Sequence, residues 1–211
     1  MFMAFLLWTA AVLSVDVRPI GPQASSVGLA TINCAFHHLT GVHISLYAIT
    51  DWLSIIPIVI TACFAALGLM QWIRRKSLFK VDYDLLVLGG FYASVAAAFI
   101  FFEIFVVNYR PILIDGVLEA SYPSSTTMLV LCVMPTAMMI LPVRIQNALF
   151  RRGFSFLIFA FIIFMLIGRL LSGVHWLSDI VGGILLSISL VSMYDFVRHL
   201  KPPFLKNIPS L

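Results

Sequence analysis

The sequence predicts an all-α, polytopic membrane protein, a six-transmembrane-helix bundle with short interfacial helices between the first and second spans. Three observations lead there. Of 211 residues, 62% are hydrophobic and only 10% charged, where a soluble domain is near half apolar and a quarter charged. The mean hydropathy is +1.07. Long apolar runs recur along the chain, and basic residues cluster at their ends. The length suits one bundle, so residues 1–211 are read as a single domain.

The first run, Met1 to Val15, ends at Asp16 and Arg18 and has no basic residue before it. It therefore lacks the usual start of a signal peptide and is expected to be a first span, short for a hydrocarbon core of about 30 Å. Pro19, Gly21, Pro22 and Ser25-Ser26 mark a loop. Val27 to Tyr47 then alternates apolar and polar groups at roughly helical spacing, as expected of short helices at the membrane surface. His37, His38 and His43 lie here without a nearby Cys, Asp or Glu to complete a metal site. They are expected to be interfacial side chains.

Further spans are expected at Trp52 to Trp72, Leu85 to Val107 (carrying Glu103), Ser124 to Leu141, Phe154 to Leu171 and Trp176 to Phe196. Residues 108–123 form a loop. Cys34, Cys63 and Cys132 are odd in number, give no disulfide framework and read as small apolar fillers.

Ten of the thirteen basic residues fall on one side of a six-span layout: Arg74, Arg75, Lys76, Lys80, Arg144, Arg151, Arg152, Arg198, Lys201 and Lys206. Basic loops stay in the cytoplasm, so that side and both termini are expected to be cytoplasmic. Arg18, Arg110 and Arg169 break the bias and need another reason to be where they are. Arg110, Arg169 and His175 are expected to face one extracytoplasmic compartment.

Chemistry is expected where these groups meet. His175 and Asp179 are four residues apart, one helical turn, on one face. An Asp there can hold one imidazole nitrogen and leave the other free to attack. A guanidinium offers paired donors to phosphate oxygens. Pro123 suits the first turn of a helix, and Ser124, Ser125 and Thr126 would then turn backbone N–H groups and hydroxyls toward an anion. The alternative for Ser124 to Thr127 is an ordinary helix cap, and for His175 an interfacial histidine beside Trp176.

The residues Asn108-Tyr109-Arg110-Pro111, Tyr122-Pro123-Ser124-Ser125-Thr126, and Arg169 followed by His175 and Asp179 resemble the type 2 phosphatidic acid phosphatase superfamily. Its motifs are Lys, six residues, Arg-Pro; Pro-Ser-Gly-His; and Ser-Arg, five residues, His, three residues, Asp. The resemblance runs from the third span through the sixth. It implies metal- and cofactor-independent removal or transfer of a phosphoryl group on a membrane lipid, with the bilayer and no nucleic acid as partner. It also implies a cell-membrane location such as the bacterial inner or plasma membrane. His175 resembles the nucleophile that becomes phosphohistidine, and Asp179 its orienting partner. Arg110 and Arg169 resemble the phosphate-binding arginines, and Ser124, Ser125 and Thr126 the phosphate-cradling turn. Tyr109 is an auxiliary candidate beside Arg110.

Three positions depart from the family pattern. The family Lys is Glu103, the Ser before the family Arg is Gly168, and Gly-His is Ser125-Thr126. In the family that His protonates the leaving oxygen, which a threonine hydroxyl cannot do near neutral pH. Three outcomes follow. The substrate is a lipid diphosphate such as a polyprenyl diphosphate, whose leaving phosphate monoester has a second pKa of about 6 and departs with little help. Or Glu103, His37, His38 or His43 supplies the proton. Or catalysis is lost. Glu103 is otherwise expected to pair with an arginine in the bundle. A lipid phosphatase, a phosphotransferase using the same site and a non-catalytic lipid-phosphate binder are the function classes that remain, with phosphatidylglycerophosphate-type lipids among the substrates.

Overall fold

The computed structural model describes residues 1–141 and 147–200, so Arg144, Lys201 and Lys206 lie outside the described residues. The elements are α1 (Phe2–Ser14), α2 (Ala30–Thr40), α3 (Ile44–Leu53), α4 (Ile55–Arg75), α5 (Tyr83–Ile104), α6 (Ser125–Ile140), α7 (Ala148–Leu171) and α8 (Leu177–His199). No strand is assigned among the described residues, only isolated bridges.

Four helical stretches are long and apolar enough to cross a membrane: Ile44–Arg75, Tyr83–Ile104, Ala148–Leu171 and Leu177–His199. The other two expected spans are shorter, with 13 residues in α1 and 16 in α6. At about 1.5 Å per residue neither reaches the roughly 30 Å of a hydrocarbon core unaided. Within Ile44–Arg75 only 11% of the apolar window is buried inside the molecule, so its outer face needs an apolar surrounding such as lipid. α3 and α4 abut at Ser54, which closes α3 and opens α4. Pro57 stands four residues after Leu53, where its ring opposes the Leu53 carbonyl and breaks the helical ladder. The expected interfacial helices are thus α2 and α3, and α3 runs directly into the following span.

α8 is the axis of the bundle and touches α1, α2, α5, α6 and α7. Gly182, Gly183, Ser187 and Ser189 are buried on it, and such small residues let helix backbones approach closely in an apolar solvent. α6 lies inside, with Met128, Val130, Cys132, Val133, Met134 and Ala137 all buried. Pro135 interrupts its ladder, and Thr136 Oγ1 bonds back to the Cys132 carbonyl at 2.8 Å. Tyr92 Oη of α5 meets the same hydroxyl at 3.1 Å.

α1 is fastened to the site end. Trp8 Nε1 donates to the Ser178 carbonyl at 3.1 Å, and Thr9 Oγ1 meets Tyr122 Oη at 2.7 Å. Arg18 pairs with Asp16 at 2.7 Å in the loop that follows, which accounts for one of the three arginines off the basic side. Successive helices α4 to α8 run in alternation. Arg74, Arg75, Lys76, Lys80, Arg151, Arg152 and Arg198 therefore collect at one end, and Arg110, Arg169 and His175 at the other.

Candidate active site

Three segments build this end. The first, residues 108–121, is more than a loop. Asp115 and Gly116 have φ of 49° and 77°, the left-handed pair that closes a tight hairpin. Arg110 N–H donates to the Glu119 carbonyl at 3.0 Å, and Ser121 N–H to the Asn108 carbonyl at 2.9 Å. The hairpin thereby sets Asn108, Arg110 and Ser121 side by side. The second segment is the start of α6. The third is the turn from α7 to α8, where Gly173 has φ of 69°. A Cβ there would stand 2.1 Å from the Gly41 carbonyl oxygen, so only glycine lets this turn seat against the end of α2.

His175 lies in the turn before α8, whose N-cap is Trp176, so the expected shared helical face is not formed, and His175 and Asp179 do not touch directly. Ser121 Oγ donates to Asp179 Oδ2 and lies 3.0 Å from His175 Nδ1. An ionised carboxylate can only accept, so the Ser121 proton goes to Asp179 and Ser121 Oγ accepts from Nδ1–H. The network thus assigns the tautomer and leaves the lone pair on Nε2, a buried atom with no hydrogen-bond partner among the described residues. Asp179 is held besides by Asn108 Nδ2 at 3.1 Å and by Trp176 N–H at 2.9 Å, the latter a carboxylate reaching back to its own helix start. Burial first, then the Arg110 and Arg169 guanidiniums, push the His175 pKa well below the ordinary imidazole range. The ring is neutral at pH 7.

Arg110 and Arg169 are 8% and 2% exposed, which for arginine requires a partner. Both stand over the ring of Tyr47 on α3, at 5.9 and 4.9 Å from its centroid. Arg169 donates from Nη2 to Thr126 Oγ1 and from Nη1 to Thr50 Oγ1 at 3.4 Å. Its Nη2 also lies 3.5 Å from Asp51 Oδ1. Arg110 Nε is 3.0 Å from Glu119 Oε2, without the alignment of a hydrogen bond. Arg110 Nη1, Arg169 Nε and Ser124 Oγ are buried without partners among the described residues. Two buried guanidiniums stacked on one ring repel each other, and an anion between them would remove that cost.

The α6 start differs in detail from the expectation. Ser124 N–H is not free, because it donates to the Asp179 carbonyl at 3.0 Å. Its side chain makes no cap bond. The helix begins at Ser125, so Ser125, Thr126 and Thr127 hold the first three amides, which no intrahelical carbonyl can satisfy. Tyr109 contributes its carbonyl, which accepts from Trp176 Nε1 at 2.8 Å.

Glu103 meets no arginine among the described residues. It is exposed on the last turn of α5 and lines a small cleft with Ser121, Ser125 and His175. The hairpin turns Arg110 toward Glu119, which removes the expected partner. His37 Nε2 lies 3.1 Å from the Gly173 carbonyl, with its ring 5.5 Å from Trp176. His43 Nε2 meets the Thr40 carbonyl at 2.9 Å. Among the described residues, no three of His, Cys, Asp and Glu gather in a way that could hold a metal ion.

Sequence reading missed Ser121, Asn108, Tyr47 and Asp51. Asn108 opens one quoted motif stretch and Ser121 stands just before another, but no spacing rule carries residue 108 or 121 to residue 179. Tyr47 carried no signal beyond its interfacial helix. Asp51 did carry one, as an acid at the start of an expected span.

Fold and site together define a class: a helical membrane protein with a buried, singly free histidine flanked by two arginines and a helix N-terminus. The chain belongs to the PAP2 superfamily, whose profile matches residues 58–199, more than half its length. Among solved structures it is similar to the "first transmembrane PAP2 type phosphatidylglycerolphosphate phosphatase from Bacillus subtilis". That match covers 96% of each chain at 18% identity with a TM-score of 0.60, which establishes a common fold. No curated protein sequence matches the chain.

Proposed function

We propose that the protein is a metal-independent phosphatase of membrane lipid phosphates and diphosphates, working through a phosphohistidine on His175. The observation that carries this reading is the setting of that ring. Ser121 links Nδ1 to a fixed carboxylate, while Nε2 is buried and, among the described residues, unpartnered, with two arginines nearby.

The mechanism follows from the parts. Arg110, Arg169 and the first amides of α6 hold the phosphoryl oxygens and balance the charge that develops in transfer. His175 Nε2 attacks in line, and Ser121 and Asp179 stabilise the positive charge that the ring acquires. Water then releases phosphate from the ring. The lipid tails lie in an apolar groove of about 470 Å³ between α4, α5 and α6, whose inner end is marked by Ser125 and Thr126. The lipid enters it sideways.

Thr126 stands where the family has its proton-donating histidine, so the favoured substrate carries its own good leaving group. A polyprenyl diphosphate fits, with phosphatidylglycerophosphate as the monoester comparison. The charge bias supports cytoplasmic termini and an extracytoplasmic site in the cell membrane, with α1 and α6 completing six crossings. The test is a phosphate-release panel on purified protein in detergent, with phosphatidic acid, phosphatidylglycerophosphate, and polyprenyl mono- and diphosphates. Release is expected from diphosphate before monophosphate and is expected to vanish in His175→Ala. Equal release by His175→Ala would end the proposal.

A further inference from the structure

We propose that Asp51 is a catalytic residue, the base that takes the proton from the water that frees phosphate from His175. This rests on the hydrolase reading above. Asp51 lies in the last turn of α3, and its Oδ1 lies 3.5 Å from Arg169 Nη2, the nitrogen that also donates to Thr126 Oγ1. The carboxylate and the threonine hydroxyl therefore flank one guanidinium nitrogen at the phosphoryl site. Asp51 also lines the apolar groove, together with Ser125 and Thr126 at its inner end. Its side chain is 56% exposed and also lines a hollow with Asp115 beside the 108–121 hairpin, the side by which water reaches it.

In-line transfer fixes which side matters. His175 Nε2 takes one face of the phosphorus, and the leaving oxygen departs from the opposite one, toward the lipid tails in the groove. The water of the second step must enter by that same vacated face. Asp179 is held behind the His175 ring by Ser121, and Glu119 is drawn to Arg110; of the acids left near the site, Asp51 lines the groove. Glu103 lines the neighbouring cleft with Ser121 and His175 and, among the described residues, pairs with neither arginine.

The steps balance. First, the Nε2 lone pair forms the N–P bond as the P–O bond to the lipid phosphate breaks, and that group leaves with the electron pair and needs no proton. Second, the water oxygen bonds to phosphorus, the N–P pair returns to Nε2, and the water proton passes to Asp51 and then to solvent.

The experiment follows a polyprenyl diphosphate labelled on its terminal phosphate, with acid-stable and base-stable phosphoenzyme and free phosphate measured separately in rapid quench. Asp51→Asn is expected to form phosphoenzyme at the wild-type rate but to release phosphate about a hundredfold more slowly, so that phosphohistidine accumulates. Hydroxylamine, a stronger nucleophile that needs no base, should restore most of the turnover, and Asp51→Glu should retain part of it. Equal loss of phosphoenzyme formation and release would show that Asp51 merely positions Arg169, and would overturn the proposal. So would unchanged release, or accumulation in Glu103→Gln instead. Wild-type protein that released no phosphate from any lipid would instead remove the hydrolase reading, and this inference with it.

Discussion

At the residue scale, the His175 imidazole is set by what touches each nitrogen. Ser121 is the link that makes the four-residue spacing to Asp179 useful, since it accepts from Nδ1–H and donates to Oδ2. Ser121→Ala would leave both groups buried without that partner. The cost of such orphaned groups is about 1–3 kcal/mol each, which predicts a fall in kcat of roughly ten- to a hundredfold. Ser121→Thr keeps the hydroxyl and should recover most of the rate. The pH profile adds a readout that misfolding would not produce. Burial and the two arginines depress the His175 pKa, so the free enzyme keeps a neutral nucleophile as pH falls through 6.5. The acid limb of kcat/KM assigned to this ring is therefore expected below pH 6.5 in the wild type. A limb above 6.5 that vanished only with His175 would contradict the burial argument.

At the element scale, the packing of α3 on α7 explains one departure from the family motif. A Cβ on Gly168 would stand 2.6 Å from Thr50 Cγ2. Glycine here lets α3 close onto α7, which brings Thr50 and Asp51 to Arg169 and Tyr47 under both guanidiniums. Restoring the family residue with Gly168→Ser should force the helices apart, lower the unfolding temperature in detergent and reduce activity. Overpacking of this kind costs about 1–3 kcal/mol. Thr50→Ser removes Cγ2 but keeps Oγ1, so the pair Gly168→Ser with Thr50→Ser should recover most of the loss. The two changes should be non-additive by at least about 0.5 kcal/mol, as expected for residues in contact. Strict additivity would mean that the contact does not set the α3–α7 distance.

What the sequence could say ends near this scale. Apolar runs and basic flanks located the helices within a few residues because lipid demands both features over the whole length of a span. His175, Arg169 and Arg110 stood out because a charge at a membrane boundary needs a reason. Ser121 and Tyr47 were illegible, since an uncharged side chain gives no such signal and its partner lies dozens of residues away, and Asn108 entered only as a neighbour of Arg110 in a motif. Glu103 misled for the converse reason. It is an acid in an apolar run, but it sits on the exposed last turn of α5, where no arginine of the described residues arrives.

At the scale of the whole molecule, polar and apolar work are divided between two spaces that meet at the start of α6. Above Thr126 lies the guanidinium pair, and below it the groove descends between α4, α5 and α6 past Ile58, Val95 and Val133. On the proposed function a lipid must satisfy both at once, and the groove gains from every methylene it shields, about 0.8 kcal/mol per buried CH₂ where water is the alternative. Within a micelle that gain shrinks, so fit matters more than length. Ala96 is exposed and lines the groove, whereas its neighbour Ala97 is exposed on α5 but outside it. Ala96→Trp should fill the groove without disturbing the buried core. The expected result is that kcat/KM for a long polyprenyl diphosphate falls at least about tenfold more than for a short, micelle-free prenyl diphosphate, corresponding to roughly 1.4 kcal/mol of selective loss. Ala97→Trp controls for the added indole. If both variants lowered the long and short substrates alike, the tails would not run between α5 and α6, and the direction from which the leaving group departs would have to be drawn again.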